Sequence, residues 1–475
     1  MLDSAALPSA SPPAPGRLRR ELSSLGVLLL TLSALSPVIS VFGAGSDVLQ
    51  HAGSGAALLF LAAIGVAVVW AAVYAELASA YPYAGGDYVA VGSILGSWAG
   101  FASLTVWAVT AAPLNAFTAE TAAMYLAQVV PSVSPAAWTF VSMAVALVFA
   151  LLSVRSSAIV TGAFIATELV SVLALIAAGL SHPVRGLAGV LAHPQMLAPS
   201  GAALIPAALG VMAVAGVNAA YATTGGNQAI AFGEELRDPH RKMGRVVMIA
   251  GMIGAFTIAL PVVFVVLAAP DLAETIRSPA PFTSFFEAIA GPRAGTALNI
   301  GVALAAFNAL IVQLMFYGRL FFSLGRDEIF PPLANRWLTR VDAATGVPRA
   351  ATLFIGVISA ACCLLSSHVL IIFGAGLTTF TLSLVSAAAL FGRRKGLTGL
   401  DGHWRTPLFP LFPLLGLGVS AGFLVASLSD EDAGRPSVLL LGGSIAIALL
   451  WYRFVLRRRL GNWRPRIGSM EGGER

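Results

Sequence analysis

Twelve stretches of this 475-residue chain are apolar for long enough to cross a lipid bilayer, and no other property of the sequence restricts its fold as much. A hydrocarbon core of about 30 Å needs about 20 helical residues to span it. The stretches run at 25–49, 54–80, 96–128, 137–154, 158–180, 208–232, 245–269, 296–324, 349–366, 368–391, 408–428 and 436–456. Apolar residues make up 57% of the chain and charged ones 11%, against roughly 25% charged in soluble domains. Within lipid every backbone polar group must be bonded inside the protein, and runs of this length meet that demand as helices. The expectation is an all-α integral membrane protein with twelve transmembrane helices.

The basic residues test that count. With Arg17, Arg19 and Arg20 in the cytoplasm and the sides alternating thereafter, all but four of the 28 Lys and Arg residues fall on the cytoplasmic side. The exceptions are Arg185, Arg277, Arg293 and Arg435. This positive-inside bias predicts that both termini are cytoplasmic. The narrowest division is between the ninth and tenth stretches, where only Ser366, Ser367 and His368 interrupt the apolar pattern. Fusing them would put the basic stretches 393–405 and 453–466 on opposite sides. The net charge of +6 therefore reads as topology and contact with anionic lipid, not nucleic-acid binding.

Residues 1–22 read as a disordered tail and 458–475 as a second cytoplasmic tail. The first apolar stretch has no clear small-residue cleavage site and is expected to stay as a helix of the protein. Cys362 and Cys363 are adjacent within one stretch and the six His are scattered. That arrangement predicts no disulfide, no metal site and no cofactor.

Two stretches contain helix breakers. The first reads Ser36-Pro37-Val38-Ile39-Ser40, and proline removes a backbone donor while clashing with the preceding turn. The sixth reads Tyr221-Ala222-Thr223-Thr224-Gly225-Gly226-Asn227-Gln228. These are expected to be the first helices of two five-helix halves, and because five is odd the halves would face opposite ways across the membrane. Interrupted segments at matching positions of two inverted halves mark a midplane binding site, where half-helix ends present free N–H and C=O groups to a ligand. The plainer reading is that Pro and Gly merely kink membrane helices, where both are common.

Several motifs, in order, resemble those of amino acid–polyamine–organocation permeases. Glu76-Leu77 through Pro82, Gly85-Gly86 and Tyr88 is similar to that family's pattern after the second span. Phe232-Gly233-Glu234-Glu235 with Asp238-Pro239 and Arg241 resembles its segment after the sixth. Gly318-Arg319, Gly325-Arg326-Asp327, Pro331 and Gly346-Val347-Pro348 resemble the stretch leading to the ninth, and Trp404-Arg405-Thr406-Pro407 the approach to the eleventh. The resemblance implies a leucine-transporter-like fold, a 5+5 inverted repeat plus two C-terminal helices. It divides the chain at 23–180, 181–395 and 396–457. It also implies transport by alternating access, with Ser36, Pro37, Val38, Ile39 and Ser40 facing Tyr221, Ala222, Thr223, Thr224 and Gly225 across the substrate. Many relatives carry a Gly-Ser-Gly type stretch where this chain has Val38-Ile39-Ser40, which restricts backbone approach to a substrate carboxylate. Glu234 and Glu235 are expected to pair with Arg or Lys.

Glu120 and Glu168 lie well inside the third and fifth stretches. Glu168 is roughly 15 Å from the nearer end of its span, where a charge costs roughly 2.5–3.5 kcal/mol and needs a partner, water or a proton. Some proton-coupled relatives carry Lys at this place, so the resemblance implies a reversed charge type here. Both carboxyls are candidates for proton or amine handling, and each also has a structural reading. The eighth span offers Asn308 but no Ser/Thr pair for sodium, which favours proton coupling or exchange. Asn308 and Gln313 can equally join helices by hydrogen bonds. The expected function is secondary transport of an amino acid or related amine across an inner or plasma membrane, with a polyamine or organic cation as the alternative substrate. A membrane-embedded enzyme is disfavoured by the lack of clustered His, Cys or Asp, and a channel would not carry a saturable, exchanged solute. No feature specifies the oligomeric state.

Overall fold

The computed structural model describes residues 22–465, except residues 153, 202, 343–344 and 462 and the side chains of residues 154–163. The tail expected over 1–22 lies outside the described residues apart from Leu22, as do residues 466–475 of the second tail. Among the described residues nine helices are long and apolar enough to cross a membrane, and two shorter apolar helices accompany them.

Helix α1 (Ser24–Leu35) starts where the Ser23 side chain accepts a bond from the Gly26 N–H at 3.1 Å, which satisfies one orphan donor. It stops at Ser36, whose backbone turns to φ 39° and ψ 91°. Pro37 then opens α2 (Pro37–Ile39), a position where its fixed φ suits a helix start and its missing N–H costs nothing. A π-helical turn (Ser40–Gly45) and α3 (Ser46–Ala52) carry the rod onward. Next come α4 (Gly55–Ala80), the short α5 (Asp87–Leu95), α6 (Ser97–Val129), α7 (Pro135–Ala150) and α8 (Val154–Ser181).

The following loop holds α9 (Leu187–Ala192) and an antiparallel hairpin of β1 (Gln195–Leu197) with β2 (Leu204–Pro206). These two strands are the departure from the all-helical expectation. They lie outside every apolar stretch and close over the end of α3, where Gln195 O accepts the Ser54 N–H at 2.7 Å. Helix α10 (Leu209–Thr223) breaks at Thr224–Gly225 and resumes as a 3-10 turn (Gly226–Phe232).

Helix α11 (Pro239–Ala268) follows, then α12 (Leu272–Arg277), α13 (Pro281–Ala290) and the long α14 (Pro292–Arg326). The rest comprises α15 (Pro332–Leu338), α16 (Arg349–Cys362), α17 (Ser367–Ala375), α18 (Leu377–Arg394), α19 (Leu411–Ser429), α20 (Gly434–Trp451), a π turn (Tyr452–Leu456) and α21 (Arg457–Leu460). The ninth and tenth stretches are separate helices, α16 and α17–α18, turning at Cys363–Ser366.

Two packing groups enclose the interior. In one, α4 lies along α11, with α1 and α10 beside them; in the other, α6 packs with α7, α14 and α16. Lipid is as apolar as a leucine, so helices associate through close packing and hydrogen bonds, and small residues matter most. A Cβ on Gly251 would sit 2.9 Å from Ala71 Cβ, so α4 and α11 are nearly in backbone contact there. Helices α19 and α20 are peripheral: only 22% and 11% of their most apolar windows are buried.

One end of the molecule is closed by charge pairs. The fully buried Arg319 guanidinium donates to Glu235 at 2.6 and 3.2 Å, and Arg326 pairs with Glu234 at 2.9 Å. Glu76 accepts from Arg393 (3.1 Å), Thr398 (2.8 Å) and the Thr406 N–H (3.0 Å), tying α4 to α18. Leu22 bridges to the Glu235–Arg237 backbone and fastens the start of α1 to the same end. The chain beyond α21 returns to this end as well. Trp463, buried, stacks on Tyr88, donates its indole N–H to Asp327 O at 3.1 Å and accepts the Ser97 hydroxyl on its carbonyl.

Candidate functional site

The two helix breaks meet. A Cβ on Gly225 would lie 2.2 Å from Leu35 Cδ1, so the second break can approach the end of α1 only without a side chain. Gly226 is equally confined: its Cβ would fall 2.8 Å from Val247 O on α11. Beside this junction is a cavity of about 110 Å³ between the two packing groups.

The first break contributes Leu35, Ile39 and Ser40 to its wall, and the second Tyr221, Ala222, Thr224 and Gly225. Of the residues expected there, Ser36, Pro37, Val38 and Thr223 are placed elsewhere. All four are buried, and Thr223 donates to Ala219 O at 3.1 Å within its own helix. One helical turn spreads its side chains around the axis, so a five-residue stretch shows only part of itself to one cavity.

Most of the remaining wall is aromatic or amide-bearing and was not expected from the sequence. Helix α4 supplies Trp70, α6 supplies Trp107, Phe117 and Thr118, and α14 supplies Gln313 and Tyr317. Asn227 and Gln228 follow the second break, and Leu377 and Thr378 begin α18. Trp70 Nε1 donates to Asn227 Oδ1 at 3.2 Å, and Thr118 Oγ1 donates to Gln313 Oε1 at 3.0 Å. These bonds fix the amides, while Gln228 Oε1 is a buried acceptor without a partner among the described residues. No Asp, Glu, Lys, Arg or His is among the described residues of the wall. The arrangement offers neutral dipoles, aromatic faces and broken-helix backbone to a ligand.

Glu168 stands behind the first break and outside the cavity wall. It is fully buried; Oε2 accepts the Ser36 hydroxyl at 2.9 Å, Oε1 accepts Asn308 Nδ2 at 3.3 Å, and the Val38 N–H also bonds to it. Asn308 Nδ2 donates in addition to Ser33 Oγ at 2.5 Å, so α1, α8 and α14 are joined at this point. Glu120, one turn along α6 from Phe117, accepts the Ser367 hydroxyl at the start of α17 and does not reach the cavity. Among the described residues no group of three or more His, Cys, Asp or Glu is placed to hold a metal ion.

A sequence model of a family described as amino acid permease matches residues 22–433. An uncharacterized transporter of Mycobacterium tuberculosis is 30% identical over 398 residues, covering 81% of this chain and 80% of that protein. The large neutral amino acids transporter small subunit 2 of Homo sapiens is 28% identical over 293 residues, 59% of this chain and 52% of its own. The Asc-type amino acid transporter 1 of Homo sapiens is 28% identical over 270 residues, 55% of this chain and 50% of its own.

Proposed function

The chain belongs to the amino acid permease family and is an integral membrane transporter rather than an enzyme; from that premise we propose that it carries neutral amino acids by proton-coupled alternating access. The observation that carries the substrate reading is the absence of any charged side chain among the described residues of the cavity wall. A dication such as a polyamine would lose its hydration there with no carboxylate in exchange, a cost of several kcal/mol per charge. A zwitterion needs dipoles of both signs, and broken helices supply them. The human relative named for large neutral amino acids supports the same class, and the Asc-type amino acid transporter 1 supports amino acids more broadly.

In this reading twelve spans form a 5+5 inverted repeat plus two, in a cell membrane, with both termini and the Glu235–Arg319 end in the cytoplasm. The substrate lies against Ile39, Ser40, Tyr221, Ala222, Thr224 and Gly225, and Ser36, Pro37, Val38 and Thr223 hold the breaks in shape from behind. Glu168, which grips the first break, takes the coupling proton. Glu120 lies on the outer approach.

Uptake into proteoliposomes tests the reading with a panel of neutral, acidic and basic amino acids and polyamines, with and without an inside-alkaline gradient. Saturable uptake of neutral amino acids, enhanced by the gradient and indifferent to sodium, is expected. Polyamine uptake in preference to neutral amino acids, or a sodium requirement, would overturn it. Gly225→Ala gives a second check. Its methyl displaces Leu35 toward the cavity, and one methylene misplaced in a pocket is worth about 10-fold or more in selectivity. The KM for the largest accepted substrate should rise by about that factor, with the smallest least affected.

A further inference from the structure

Asp87 opens α5 and is buried, 6% exposed. Its Oδ2 accepts the Tyr74 hydroxyl at 2.6 Å and the Trp107 indole N–H at 2.7 Å. Tyr74 belongs to α4 and Trp107 to α6, one from each packing group, and these two helices hardly touch directly. Trp107 also lines the cavity, and Trp70, another wall residue, packs on Tyr74 with ring centroids 5.1 Å apart. The carboxyl is thus one side chain from the cavity and bridges the two bodies that enclose it. Bonds this short are those of a charge-assisted pair.

An acid in the first turn of a helix is ordinarily explained by the helix dipole, but such residues sit in water, and this one does not. Its surroundings provide no counter-charge among the described residues. From α4 it faces Tyr74, while Glu76 is held by Arg393. From α6 it faces Trp107, and that helix has no ionisable residue before Tyr125 except Glu120. Beyond α18, Lys395 donates to Ile94 O at the far end of α5. From the end of α14, Asp327 is engaged by the neighbouring Tyr88 at 2.8 Å, and Arg326 by Glu234.

We propose that Asp87 is a proton-binding latch of the transport cycle: ionised, it ties α4 to α6 and holds the cytoplasmic side shut, and protonated, it loosens that tie so the side opens. The proposal rests on the transport reading above. One proton enters the carboxyl and neutralises one negative charge, and the same proton leaves to the cytoplasm when the latch re-forms. Neutral hydrogen bonds are about half as strong as charge-assisted ones, so proton binding weakens both contacts at once. Burial pushes the carboxyl up to about 6, opposed by the bonds from Tyr74 and Trp107. The latch therefore titrates in the range a cytoplasm can reach. Glu168 is a separate group, held by Ser36 and Asn308 behind the first break, so the two make separable predictions.

The test uses purified full-length protein in two assays. In the first, intrinsic tryptophan fluorescence is titrated between about pH 4.5 and pH 8. The wild type should show a transition near pH 6, because Trp107 loses a charged acceptor. Asp87→Asn should abolish it, and Tyr74→Phe, which removes a donor to the carboxylate, should move the midpoint upward. In the second, proteoliposome exchange of leucine is followed while only the pH on the cytoplasmic face is varied. The wild-type rate should change about tenfold across the same window, and Asp87→Asn should be flat. A transition that survives Asp87→Asn overturns the latch. So does a midpoint unmoved by Tyr74→Phe, which also decides the matter if Asp87→Asn does not fold. A protein that shows the fluorescence behaviour but exchanges no amino acid keeps the proton site and overturns the transport reading instead.

Discussion

Arg319→Ala is expected to destabilise the protein by about 3–5 kcal/mol, the usual cost of removing one partner from a buried ion pair. Arg319 is fully buried on α14, and it holds Glu235 through two hydrogen bonds and Met315 O through a third at 2.9 Å. Its guanidinium also lies 4.6 Å from the centre of the Phe232 ring. Truncation removes the charge that balances a carboxylate only 1% exposed. Arg319→Lys should fall between, because an ammonium cannot reproduce the fork geometry. Arg319→Met with Glu235→Gln should recover much of the loss, since removing both charges spares the desolvation cost of each. Thermal unfolding in detergent reads all three variants. An Arg319→Ala midpoint within a degree or two of the wild type would show that the pair contributes nothing.

Glu168→Gln should abolish gradient-driven accumulation, by about tenfold or more, while amino acid exchange continues. The amide is close to isosteric with the acid and can be satisfied in place. One oxygen keeps accepting, and the new NH₂ finds Asn308 Oδ1, which has no partner among the described residues. The first break should therefore keep its shape, and the variant loses only its ability to take a proton. Glu168→Ala is the contrasting case. It strands the Ser36 hydroxyl and the Val38 N–H and leaves the Asn308 amide with Ser33 alone, at about 1–3 kcal/mol for each buried group left unpaired. Accumulation by Glu168→Gln equal to the wild type would confine Glu168 to a structural role.

The two breaks were legible because proline and paired glycine disturb a helix by local sterics, which need no tertiary information. Even the manner of the first break follows from its sequence, with Ser36 before a proline that can only begin a helix. The pairing of Glu234 and Glu235 was legible for a similar reason, since two acids in an apolar context need cations. The aromatic wall was not. Trp70, Trp107 and Tyr317 sit on helices so apolar all round that no face is marked, and a tryptophan among alanines reads the same whether it meets a ligand, a neighbour or lipid. Thr118 and Gln313 are 195 positions apart, and nothing local links them. Asp87 lay inside the motif that resembled the family. That motif's glycines and tyrosine carry the resemblance, while the place of the acid between them depends on Tyr74 and Trp107, 13 and 20 positions away.

Trp463 carries a consequence for the order in which this protein can be made. Its seat is built from Ser97, Tyr88 and Asp327, of which Asp327 is made 136 codons and Ser97 366 codons before it. Contacts between such distant parts of a chain form late, because the loop between them must first be ordered. The end of the molecule that carries α5 therefore stays incomplete until residue 463 has been made, and a chain stopped short of it lacks the indole that stacks on Tyr88 and bonds Asp327.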